Sequence, residues 1–117
     1  VSDRAENLAK NMDYREKFDI VTSRAVARFN ILSELCLPFV KENGKLVVMK
    51  GAAGQEEFAE AQKGISILGG EDAKIFEDIL IKTNNKTENR SIIEVIKQRK
   101  TPNQYPRQFG QIKKKPL

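Results

Sequence analysis

Histidine, the commonest general base and metal ligand, is absent from this 117-residue chain, and cysteine occurs once, as Cys36. Ser23, Ser33, Ser66 and Ser91 therefore have no imidazole to activate them, and no GxSxG elbow occurs. A lone thiol in an apolar helical stretch excludes a disulfide framework and a cysteine-rich metal centre, and it reads as a buried structural residue. A metal would have to rest on carboxylates. Glu56, Glu57 and Glu60 have the spacing of a solvated helix face, while Glu71-Asp72 and Glu77-Asp78 are adjacent pairs that point to opposite faces of a strand. No metal site is expected, and no residue stands out as catalytic. The Gly51-x-x-Gly54 spacing ahead of a helical pattern is a weak phosphate-loop signal, since neither glycine-rich nucleotide fingerprint accompanies it. Two features remain: Arg24, which closes the polar step Thr22-Ser23-Arg24, and Arg4-Ala5-Glu6 at the start of a helical pattern. Both suit contact with a polar ligand, and equally a structural ion pair of Arg24 with Glu6 or Asp3.

These residues need elements to hold them. Phe18, Ile20 and Val21, behind the charged Arg15-Glu16-Lys17, predict a strand with Arg24 at its carboxyl end, where ligands bind in an open parallel sheet. Ser2 or Asp3 can cap a helix over residues 2–12, with Ala5, Leu8, Ala9 and Met12 at helical spacing. No strand precedes this helix, so the chain is expected to begin inside a larger domain. Ile31, Leu32, Leu35 and Cys36 predict a helix over 29–40, which Pro38 breaks or converts into a second short turn. Asn43-Gly44 reads as a stop, and residues 45–50 as a strand buried on both faces. A helix over 55–68, weakened by Gly64 and ended by Gly69-Gly70, leads to two strands over 73–81 and 91–98, joined by a polar loop over 82–90. The segment from Thr101, with Pro102, Pro106 and Pro116, reads as extended irregular chain. The expected fold class is α/β, with two parallel strands and their helices followed by an antiparallel strand pair.

Apolar residues make up 39% of the chain and charged residues 32%, ordinary values for a soluble globular protein. No apolar run approaches the roughly 18 residues of a membrane span, and Val1 opens no signal-peptide pattern, so the reading is a soluble, cytoplasmic protein without a membrane partner. The net charge of +5 is segregated: residues 97–117 hold seven basic side chains and no acidic one, leaving 14 of the 21 Lys and Arg against all 16 Asp and Glu in the rest. A basic run of this kind suits a polyanion, and equally a solvated tail.

RAENLA from Arg4, FDIVTSRAVA from Phe18, ELCLPFVKENGKLVVMKG from Glu34 and TPNQYPRQFGQIKKKPL from Thr101 closely resemble the bacterial small-subunit (16S) ribosomal RNA guanine-N7 methyltransferases, the glucose-inhibited division protein B family. The resemblance runs the whole length of the chain and corresponds to the C-terminal half of such an enzyme. The family's glycine-rich cofactor loop has no counterpart here. The resemblance implies a Rossmann-like class I methyltransferase sheet, S-adenosylmethionine as methyl donor without a metal, and 16S rRNA or the small ribosomal subunit as partner. It divides the chain into residues 1–100, the C-terminal half of the methyltransferase domain, and residues 101–117, the basic tail of the same domain. By the family's motifs, Ala5 and Glu6 meet the adenosine end of the cofactor, Arg24 lies in the same site, and Arg4 takes a neighbouring place. The four strands would be the fourth to seventh of a seven-stranded sheet, with the last strand antiparallel beside the second one here. The tail would lie near the catalytic edge, with Arg107, Lys113, Lys114 and Lys115 on the RNA. Such a half-enzyme is expected to be inactive by itself and to self-associate through its open sheet edge. The alternative is a non-catalytic rRNA-binding module that uses the same tail.

Overall fold

The computed structural model describes residues 11, 13–24, 27–51, 54–84 and 86–117. Within them, β1 (Phe18–Arg24) is followed by α1 (Phe29–Cys36), a 3-10 turn (Leu37–Phe39) and β2 (Val40–Lys50). Two short helices, α2 (Gly54–Glu60) and α3 (Gln62–Ile67), lead to β3 (Gly70–Thr83) and β4 (Lys86–Lys97), and α4 (Phe109–Lys114) lies near the end. The helix expected over residues 2–12 falls outside the described residues.

The strands form one sheet in the order β1-β2-β4-β3. β1 is parallel to β2, and β4 is antiparallel to both β2 and β3. The last strand therefore sits beside the second, as the family pattern implies. Alternation decides which side chains face the helices. Leu46, Val48, Ile93 and Val95 are buried with Phe29 and Leu32 of α1, Leu37, Ala61, Ile65 and Leu68 in one apolar cluster. Burying side chains of this size stabilises by about 1.5–3 kcal/mol each. On the opposite face, Ile20, Met49 and Phe76 remain exposed. β2 is thus covered on one face among the described residues, not on the two expected from its apolar run.

Local signals explain the other departures. Pro38 lies in the first turn of the 3-10 segment, the second of the two outcomes its position allows. Asn43-Gly44 is an irregularity inside β2 and not a stop. Asn43 takes φ 70°, the β1–β2 register shifts between Phe18 and Ile20, and a Cβ on Gly44 would lie 2.6 Å from the Asp19 carbonyl oxygen. Only glycine lets the two backbones approach so closely. The helix expected over 55–68 breaks at Ala61, with φ −92° and ψ −4°, into α2 and α3. Gly64 is buried in α3, where a Cβ would lie 3.0 Å from Leu117 Cβ, so its small size serves a packing contact. The hairpin strands run well beyond their expected limits, and the polar residues read as a loop form its outer half. They are polar because no described helix covers that part of the ribbon.

Candidate functional site

Arg24 ends β1 and pairs with Met49, one residue short of the end of β2, so its backbone lies on the carboxyl edge of the parallel pair. The Arg24 side chain, like Arg4, Ala5 and Glu6, falls outside the described residues. What the structure shows is how the corner after β1 is held. Lys50 Nζ donates to the Ala27 carbonyl oxygen at 2.8 Å and pairs with Glu57 Oε1 at 2.6 Å. Both side chains are almost wholly buried. Glu57 Oε1 also accepts the Phe29 N–H at 2.8 Å, and Arg28, at the N-cap of α1, makes no side-chain cap of its own. A carboxylate from α2 therefore satisfies one of the unpaired amides at the start of α1. Outside it, Arg28 Nε donates to Glu60 Oε1 at 2.7 Å; this bond holds the Glu60 carboxyl below its usual range and raises the arginine.

The acidic group read as a solvated face is thus divided: Glu56 and Glu60 are exposed, whereas Glu57 turns inward. The readable signal was Lys50, a charge at the end of an apolar strand that requires a buried partner. Gly54 belongs to the same packing, since a Cβ there would lie 2.9 Å from Ser91 Cβ. That contact accounts for the second glycine of the Gly51-x-x-Gly54 pair without a phosphate. Among the described residues no group of three or more potential ligands could hold a metal, and no helix is long and apolar enough to cross a membrane.

The segment after β4 is irregular up to Gln108, as expected, but it is folded onto the body and ends in α4, which corrects the expectation of an extended chain. Thr101 is buried; its Oγ1 donates to the Leu68 carbonyl at 2.6 Å and its N–H to Glu16 Oε2 at 3.1 Å. Arg15 donates to the carbonyls of Thr101, Pro102 and Tyr105. Lys97 is fully buried, donating to the Leu37 and Val40 carbonyls at 2.8 and 2.9 Å and pairing with Glu16 at 3.2 Å. Burial lowers the pKa of this ammonium and Glu16 opposes the shift. Arg107 grips the buried Glu34 carboxylate with Nε and Nη2, its own N–H donates to Glu34 Oε2 at 2.7 Å, and Nη2 also reaches the Lys115 carbonyl. The bond to Glu34 raises the Arg107 pKa.

Of the four residues expected on RNA, Arg107 faces inward, while Lys113, Lys114 and Lys115 are exposed on and just beyond α4. Ile112, between them and the body, is fully buried. The location also differs from the expected one. β4 is antiparallel to β2, so Lys97 lies at the amino edge, and the anchors at Arg15, Glu16 and Glu34 lie before β1 or late in α1. The tail is tied at the edge opposite Arg24, away from the edge where the cofactor was expected, because Thr101 follows the end of β4 by only four residues.

A family model described as rRNA small subunit methyltransferase G matches residues 1–97. The chain belongs to the GidB family. Relatives in that family named ribosomal RNA small subunit methyltransferase G include one from Oceanobacillus iheyensis, 50% identical over 98% of this chain and 47% of its own length. Another, from Lactobacillus johnsonii, is 49% identical over the whole chain and 48% of its own length. This GidB chain thus spans about half the length of the relatives it matches. The fold agrees: a crystal structure of a SAM-dependent O-methyltransferase from Thermotoga maritima aligns with a TM-score of 0.52 at 11% identity, over 80% of this chain and 38% of that one.

Proposed function

We propose that this chain is the C-terminal part of an enzyme that methylates N7 of a guanine in small-subunit ribosomal RNA, with S-adenosylmethionine as donor. The observation that carries this reading is the identity of about half the residues, over nearly the whole chain, with proteins named small-subunit rRNA methyltransferases. Beneath the corner, the buried charges of Lys50 and Glu57 compensate each other.

Arg24, Ala5, Glu6 and Arg4 are assigned to the cofactor, on the family's motifs and, for Arg24, on its place at the end of β1. Bound there, the cofactor supplies an electrophilic methyl group. Guanine N7 offers a lone pair without prior loss of a proton, so a chain that lacks histidine is not handicapped. Its residues have to fix the geometry of attack and exclude water. The Lys50–Glu57 tie contributes by fixing the backbone at Ala27 and Phe29 next to the site. Lys113, Lys114 and Lys115 are assigned to RNA that passes the amino edge, with Arg107 as the anchor of α4 and not a phosphate contact.

The test is methyl transfer from labelled S-adenosylmethionine to unmodified small-subunit rRNA, by the full-length protein and by this chain alone, read by nucleoside mass spectrometry. The expected result is N7-methylguanosine from the full-length protein and none from the chain alone. A folded full-length protein that binds RNA but transfers nothing would leave the non-catalytic module as the better account. Arg24→Gln in the full-length protein is expected to weaken cofactor binding about tenfold, the worth of one charge-assisted hydrogen bond of about 1.5 kcal/mol, and calorimetry checks it.

A further inference from the structure

β3 and β4 continue past the body as a two-stranded ribbon. The final residue of β2, Lys50, pairs with Ser91, and beyond it, among the described residues, the two hairpin strands pair only with each other, from Ile79–Arg90 out to Thr83–Lys86. Five residues from Ser91 to Lys86, at about 3.3 Å each, carry the tip roughly 16 Å past the end of β2. The end of β2 belongs to the same carboxyl edge as Arg24. The ribbon tip therefore overhangs the candidate cofactor edge, which the basic tail does not.

The tip has the chemistry of a nucleic-acid contact. From Ile79 to Thr87 the sequence holds two lysines and no acidic residue. Lys82 and Lys86 are exposed and, with Asn84 and Thr87, line an open cavity of about 360 Å³. Asn84 takes φ 48°, the left-handed geometry of a tight hairpin turn, which holds the two lysine-bearing strands together at the tip. Leu80, two residues before Lys82 on the same face, is 69% exposed, the highest value among the described large hydrophobic side chains. It contributes almost nothing to the core.

We infer that the β3–β4 tip is an RNA grip beside the cofactor edge: Lys82 and Lys86 neutralise backbone phosphates, and Leu80 packs on a sugar or an unstacked base. The inference rests on the proposed RNA substrate. It adds the surface that holds the strand on the same edge as the chemistry.

The test uses the full-length protein with unmodified small-subunit rRNA. Each phosphate contact contributes roughly 0.7 to the slope of log affinity against log salt for single strands, so K82Q/K86Q is expected to flatten that slope by about 1.4 and to weaken binding roughly tenfold at physiological salt. The KM for RNA should rise with it while kcat and cofactor affinity stay at the parent values. Leu80→Ser should weaken binding without altering the slope. A thermal melt matching the parent shows that the variants fold. A parent-like slope and KM in folded K82Q/K86Q would overturn the grip and leave the rRNA reading standing. A parent that shows no salt-dependent rRNA binding would sink the rRNA reading, and the grip with it.

Discussion

Removing the Arg107 side chain would leave the Glu34 carboxylate, wholly buried, with a single backbone amide as its remaining partner among the described residues. A buried carboxylate stripped of its cation costs about 3–5 kcal/mol, whereas a solvated lysine such as Lys114 changes stability by less than about 0.5 kcal/mol. Arg107→Ala should therefore lower the urea midpoint of the full-length protein sharply and Lys114→Ala should leave it in place, separating an anchor from a surface charge. Cys36 gives a second expectation. Burial raises its thiol from 9.0 to about 11, so between those values the unfolded chain has lost a proton that the folded chain keeps. Stability then falls as pH rises, by about 1.4 kcal/mol per unit. Lys97, lowered by burial, acts in the opposite sense as pH climbs toward the ordinary lysine value. Urea unfolding across pH 9–11 of Cys36→Ala beside the parent isolates the thiol, and the variant should show the smaller loss.

The turn from α3 into β3 depends on Gly69, at φ 96°, whose carbonyl accepts the N–H groups of Gln98 and Arg99. An alanine there would place its Cβ 2.2 Å from the Arg99 carbonyl oxygen. Gly69→Ala should cost at least about 2 kcal/mol, from left-handed strain and the displaced strand end, and chemical denaturation measures it. Sequence reading located the strands along the chain because alternation and helix-stopping glycines are local signals, whereas the place of the last strand beside the second was implied by the family resemblance. It misread Asn43-Gly44 because a bulge and a turn ask for the same residues. It placed residues 82–90 of the outer ribbon in a loop because they carry no apolar stripe. Glu57, Glu34, Glu16 and Lys97 were not legible as a set. Each reads as a surface charge until a partner 7 to 81 positions away along the chain, Lys50 with Glu57 or Glu16 with Lys97, is seen to pair with it.

For the molecule as a whole, β1 is the terminal strand of the sheet among the described residues, and Phe18 and Ile20 on it are 44% and 56% exposed. A free strand edge with apolar side chains pairs with other chains. The 117-residue chain by itself should sediment as a dimer or larger, and Ile20→Lys should return it to monomer; a parent chain that stays monomeric with a cooperative melt would count against edge pairing. The insertion of β4 between β2 and β3 has a consequence for synthesis. While the chain emerges from the ribosome, β2 is complete long before the strand that covers its open side, and among the described residues β3 has no partner in the sheet except β4. Stalled nascent chains should stay protease-sensitive through the release of β3, then gain protection in one step when Lys97 clears the exit tunnel and reaches Glu16 and the Leu37 and Val40 carbonyls.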